Sequence, residues 1–193
     1  MKISLSGHRP QGEGMGGYQR FGPQNWIRKQ VREALNRAKD KYPDVEIIGG
    51  LALGFDLWAM DEAIRLSIPV LAYQPIPNQT YRWLPQAIQD HENVIRCSRT
   101  LVKTWERPLP SAAKNLSYYY KMMEWRNEWM LEDSSVSIIC WNGKKKGGTY
   151  NYLSCARTGK SKIPGAMFNN LKKEHIYHIN PVTKTSGWIR NAN

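Results

Sequence analysis

The sequence predicts one α/β domain with a mostly parallel sheet flanked by helices. Three observations carry this expectation. Short apolar or β-branched runs alternate with longer stretches of helical period. Three of the apolar runs lead into glycine-rich turns. No internal repeat or low-complexity linker divides the 193 residues, a length that suits a single domain with its own core.

Ile3-Ser4-Leu5 reads as a short strand that runs into Gly7. Residues 9–23 follow as a long loop containing Gly12, Gly14, Gly16, Gly17 and Gly22. From Gln24 to about Lys41 the period is helical, with Trp26, Ile27, Val31, Ala34, Leu35 and Ala38 on one side and Pro43 ending the run. Val45–Ile48 is a β-branched strand that stops at Gly49-Gly50. Phe55 to about Ser67 reads as a helix, Pro69–Tyr73 as a strand, and Asn78–His91 as a helix. A further strand is expected at Asn93–Cys97, followed by an irregular stretch from Arg99 to Ala113. A strong helix is expected over Leu116–Glu132 and a strand over Val136–Trp141. A glycine turn (Gly143, Gly147, Gly148) then leads into a helix from Thr149 to about Gly159. Ile176–Ile179 reads as a last strand, and the segment after Lys172 carries the weakest pattern. Alternating strands and helices of this kind imply right-handed βαβ crossovers and a Rossmann-like sheet.

Composition narrows the function. The formal charge is +12, from 28 Lys and Arg against 16 Asp and Glu. Such a surplus favours anionic ligands or nucleic acid. The basic residues are scattered, as at Arg28, Lys29 and Arg32, at Lys144–Lys146 and at Lys172-Lys173, with no basic tail and no nucleic-acid motif. No apolar run is long enough to span a bilayer, and the first residues do not form a signal peptide. Cys97, Cys140 and Cys155 are widely spaced, so neither a zinc site nor any other metal site is expected. Reduced thiols of a cytoplasmic protein are the plain reading. Eight Trp and ten Tyr are expected in the core or in pocket walls.

In open α/β sheets the ligand sits beyond the carboxyl ends of the strands, so the turns after the strands are the candidates. In Ser6-Gly7-His8-Arg9-Pro10, Arg9 is either a plain exposed turn residue or a cation placed over a phosphate. In Gly49-Gly50-Leu51-Ala52-Leu53-Gly54-Phe55-Asp56 a strand ends and a helix starts at once. Glycine lets backbone N–H groups approach an anion, and the helix N-terminus adds partial positive charge. Gly50, Leu51, Ala52 and Gly54 are therefore candidate ligand contacts. Asp56 is either a first-turn acid or an acceptor for a sugar or base. In Lys144-Lys145-Lys146-Gly147-Gly148-Thr149-Tyr150-Asn151 the same logic holds, with Thr149 able to cap the helix or hold phosphate.

The helix at 116–132 places Tyr119, Met123, Arg126 and Met130 on one stripe. An arginine in an apolar stripe needs a carboxylate or a ligand anion. Glu124 and Glu128 are expected on a solvated face.

These blocks resemble the SMF/DprA–Lonely Guy (SLOG) superfamily. Gly50-Leu51-Ala52-Leu53-Gly54-Phe55-Asp56-Leu57-Trp58-Ala59 looks like the G-x-A-x-G-[IF]-D-x-x-A segment shared with small bacterial and phage members. Met123 to Met130 is similar to the M-x-x-R-x-x-x-M helix of Lonely Guy enzymes, and Gly147-Gly148-Thr149 to a shortened form of their phosphate-binding turn. Ser6–Pro10 resembles the opening of the smaller relatives, and the blocks run in family order from residue 3 to about 164, leaving 165–193 as an extension.

The resemblance implies a nucleotide-binding Rossmann-like domain, and a dimer. Lonely Guy enzymes hydrolyse the N-glycosidic bond of nucleoside monophosphates with the helix arginine and a glutamate two residues after the threonine. Arg126 takes the first position and Asn151 the second. An amide is neither a carboxylate base nor a stabiliser of an oxocarbenium ion, which counts against hydrolysis unless Asp56, Glu124 or Glu128 serves instead. The expectation is thus a module that binds a nucleotide or nucleotide-derived phosphate, with Gly7, Arg9, Gly50, Leu51, Ala52, Gly54, Asp56, Arg126, Gly147, Gly148, Thr149 and Asn151 around the ligand. No cofactor is expected. The alternatives are a phosphoribohydrolase using Arg126 with Glu124 or Asp56, and single-stranded nucleic-acid binding of the DprA kind.

Overall fold

A computed structural model describes residues 1–17, 23–115 and 117–190. Gly22 of the expected first loop and Leu116 at the expected helix start lie outside the described residues. The strands are β1 (Lys2–Gly7), β2 (Glu46–Gly49), β3 (Val70–Gln74), β4 (Thr100–Lys103), β5 (Val136–Cys140), β6 (His175–Asn180) and β7 (Thr185–Arg190). The helices are α1 (Pro23–Lys41), α2 (Phe55–Arg65), α3 (Pro85–Cys97), α4 (Tyr118–Glu132) and α5 (Gly148–Thr158). The described strands form one sheet in the order β4-β3-β2-β1-β5-β6-β7. All neighbours pair in parallel except β6 and β7, which are antiparallel. This is the Rossmann-like α/β architecture that the alternating pattern predicts.

Strand side chains alternate between the two faces. Ile3, Leu5, Ile47, Ala72 and Ile138 join α1, α2 and α3 in one core. Ile48, Leu71, Tyr73 and Ile139 join α4 and α5 in a second core on the other face. β1 carries Ser4 and Ser6 on the second face, and Ser4 is satisfied internally. The Ser4 hydroxyl lies 2.8 Å from that of Ser134, 2.9 Å from that of Ser137 and 2.6 Å from that of Tyr152.

Two expected boundaries are corrected. Asn93–Cys97 is the last part of α3, not a strand, and α3 begins at Pro85 rather than Asn78. Ala87, His91 and Val94 are its buried stripe, a helical spacing that absorbs the β-branched run. The strand lies at Thr100–Lys103, within the stretch expected to be irregular, and two short 3₁₀ turns follow it at Thr104–Glu106 and Ser111–Asn115. The C-terminal extension supplies two strands of the sheet, with Ile176, Tyr177 and Ile179 buried.

Strand order runs outward in opposite directions from β1, through β2 to one edge and through β5 to the other. The loops after β1 and β5 therefore diverge, which opens a crevice at their carboxyl ends.

Candidate functional site

A cleft of about 400 Å³ occupies that crevice, a size within the range of small-molecule sites. Its floor is Ser6 and Gly7 of β1, with Ala52 and Asp56 beside them. Glu124, Arg126 and Asn127 reach it from α4, and Gly148 and Thr149 from the start of α5. Arg9, Tyr119 and Tyr120 stand at its rim, all three exposed.

Asp56 is buried and fastens the first two turns together. Its carboxylate accepts backbone N–H groups from Ala52, Gly7 and Gly50. Burial pushes its pKa up to about 6, against the opposing pull of Arg126 and those N–H donors. Arg126 is also buried; it donates from Nη1 to the Gly50 carbonyl and from Nε to Asn127 Oδ1 at 3.0 Å. Burial lowers the arginine pKa, and the charge of Asp56 opposes that shift. The attraction between the two charges offsets only part of what burial costs each of them.

The second glycine turn is consequently used by the protein itself. The N–H groups of Gly50 and Ala52 serve Asp56. A side chain at Gly50 would meet the Arg126 guanidinium at 2.2 Å. Leu51 is fully buried with φ 57°, and its carbonyl accepts Gln79 Nε2 at 2.7 Å. At the start of α2, Phe55 N–H donates to the His8 carbonyl at 3.2 Å. Gly54 packs under that same loop, 2.8 Å separating its would-be Cβ from the His8 carbonyl oxygen. Gly50, Leu51 and Gly54 therefore shape the wall and do not line the cleft.

The third turn is arranged differently. α5 starts at Gly148 after Gly147 at φ 86°, with no side-chain cap. The first N–H groups of a helix have no intrahelical partner. Gly148 and Thr149 bring this uncapped end to the cleft. Gly147 is outside the lining. Lys144–Lys146 are exposed outside it too, and Lys144 Nζ pairs with Glu13 at 2.7 Å.

Glu124 and Glu128 are corrected from solvated to buried. Glu128 accepts the Ser161 hydroxyl and the Lys162 N–H, both at 2.5 Å, and so pins the chain after α5. Glu124 faces the cleft. Its Oε1 accepts Asn151 Nδ2 at 3.1 Å, while Oε2 is buried without a hydrogen-bond partner. Burial raises its pKa, and the Asn151 contact partly opposes this. Asn151 also donates to the Tyr120 hydroxyl at 2.8 Å.

Sequence reasoning missed Ser6, His8, Gly12, Tyr119, Tyr120, Met123 and Asn127 as cleft residues. The signal for Tyr120 was present, as the Tyr118-Tyr119-Tyr120 run opening α4. Burial lowers the His8 pKa, and its ring Nε2 accepts the Asn142 N–H at 3.0 Å, tying the β1 loop to the β5 loop.

A larger groove of about 820 Å³ lies between α1, α2 and α3. Its buried acid is neutralised, since Glu62 accepts Arg28 at 2.7 Å and Arg32 at 2.8 Å. The smaller cleft is the one with a buried acceptor left open. Among the described residues no group of three or more His, Cys, Asp or Glu is placed to hold a metal ion. No described helix is long and apolar enough to cross a membrane.

Fold and cleft together define a Rossmann-like α/β protein with a small-molecule-sized crevice where the strand order reverses. No protein-family model matches the chain, and no curated protein matches it.

Proposed function

We propose that this cleft binds a nucleotide or a nucleotide-derived phosphate. One observation carries the reading: the uncapped start of α5 and the Arg126 guanidinium meet in a single cleft at the reversal of strand order. Free helix N–H groups and a buried cation form an anion site, and such reversals are where α/β sheets take nucleotides. Gly148 and Thr149 hold the phosphate, Arg126 and Arg9 neutralise it, and Asp56 fixes the floor. Membership of the SLOG superfamily belongs to the same proposal, through the motifs around Asp56, Arg126 and Thr149.

The test is thermal unfolding with nucleoside monophosphates, cyclic nucleotides and ADP-ribose-type compounds, the mixture then being separated on a column. A ligand at 100 times its Kd adds about 2.7 kcal/mol of stability, easily seen as a raised Tm. A stabilising nucleotide recovered intact supports a binding module. Arg126→Ala then loses the shift, and unchanged affinity in that variant sinks the proposed role of Arg126.

A second reading is favoured by Glu124. The structure places its carboxylate beside Asn151, the position where an acid is expected but absent from the sequence. A phosphoribohydrolase with Glu124 as its acid releases free base and sugar phosphate in the same experiment, and Glu124→Gln abolishes that release. Recovery of every nucleotide intact rejects it. Single-stranded DNA belongs in the panel as the third ligand class, and light scattering tests the dimer that the superfamily resemblance implies.

A further inference from the structure

Three tyrosines in succession open α4, and all three are exposed. Two of them, Tyr119 and Tyr120, also line the cleft, with relative exposures of 48% and 44%. Their hydroxyls are held. Tyr119 Oη accepts Arg9 Nη2 at 3.3 Å, and Tyr120 Oη accepts Asn151 Nδ2 at 2.8 Å. Each ring is thus tethered at its tip while much of its surface stays open to water. Rings fixed in advance lose little freedom when a ligand arrives.

We infer that Tyr119 and Tyr120 form a stacking wall at the cleft mouth that takes the planar ring of the ligand and accepts any nucleobase. This rests on the nucleotide reading above, to which it adds where the base sits and how it is selected. Stacking uses the π-face that every base has, and is therefore tolerant of base identity. The tyrosine oxygens already accept protein donors that hold the rings in place, and the stacked ring faces read no donor or acceptor pattern of a base. Selection at this wall is for a ring against no ring.

The experiment compares AMP, GMP, CMP, UMP and ribose 5-phosphate by calorimetric titration of the intact chain. The four nucleotides are expected to bind with similar Kd, and ribose 5-phosphate about tenfold more weakly. Tyr119→Ala and Tyr120→Ala should narrow that gap by weakening the nucleotides while leaving ribose 5-phosphate in place. Tyr119→Phe and Tyr120→Phe keep the rings and should keep the gap, which separates stacking from loss of fold or of the hydroxyl tethers. Equal binding of ribose 5-phosphate and the nucleotides overturns the stacking wall but leaves the phosphate site standing. A strong preference for one base overturns the tolerance. Failure of all five compounds to bind overturns this inference, while the reading on which it rests falls only if cyclic nucleotides and ADP-ribose-type compounds also fail to bind.

Discussion

Asp56 holds together parts of the chain that are far apart in sequence. It gathers N–H donors from the end of β1 and from the turn after β2, and it faces the Arg126 charge from α4. Removing the Asp56 carboxyl leaves its buried N–H donors unsatisfied, at a cost of about 1–3 kcal/mol. Asp56→Ala should therefore lower unfolding stability by that order in a urea titration, and a loss under 1 kcal/mol would show that these backbone contacts contribute little. The sequence exposed the ambiguity at Asp56 between cap and ligand contact but not its resolution. Its three N–H donors sit on two turns about 40 residues apart, and only the folded sheet brings them together. Glu124 was hidden for a related reason. Its neighbour Asn151 comes from α5, so nothing within the α4 sequence marks this glutamate as buried.

At the scale of elements, β1 and α2 touch so closely that only glycine fits between them. A side chain at Gly7 would meet the Phe55 ring at 2.4 Å. Phe55 is fully buried and has nowhere to retreat. Gly7→Ala should cost about 1–3 kcal/mol, the usual penalty of overpacking, and distort the cleft floor. Full stability by thermal melting would contradict that packing. Gly147 is different, because nothing crowds it and its φ of 86° with ψ of 175° is the difficulty. Such backbone belongs essentially to glycine and costs other residues about 1–3 kcal/mol. Gly147→Ala should weaken phosphate binding by displacing the start of α5, and a Kd matching the parent chain would count against that helix end as the anion site. Glycines were legible in the sequence because their reason is local. The α3–β4 boundary was not, because Asn93–Cys97 has strand-like composition while its helical burial depends on what α3 packs against. Pro85 was the overlooked clue, since proline suits the first turn of a helix.

Over the whole molecule, buried acids and imidazoles pull stability in opposite directions. Asp56 holds its proton up to about 6 when folded, against a reference near 3.8. Its contribution is thus complete below about pH 4 and is lost as the pH rises through 6. Burial shifts Glu124 and Glu128 in the same direction. His91 does the reverse. Burial lowers its pKa to about 4, so its contribution is lost as the pH falls through that value. The difference between the parent chain and Asp56→Asn isolates the carboxyl. Between pH 4 and 7 the parent should lose stability relative to the variant, and a constant difference across that range would exclude a raised Asp56 pKa. β1, β2, β3, β5 and β6 were legible, because each is a short apolar or β-branched run bounded by turn residues or helices. β7 was not, since it alternates little and Trp188 on it is exposed.

The β6–β7 hairpin has a consequence for how the protein is made. β6 pairs with β5, and along the chain it follows every residue that lines the cleft. Until residues 175–180 emerge, the nascent chain presents the bare edge of β5, with Ile138 and Ile139 beside it, as a template for strand pairing with other chains. Release of a chain that stops near residue 164 should therefore give aggregate, even though every residue lining the cleft has already been synthesised.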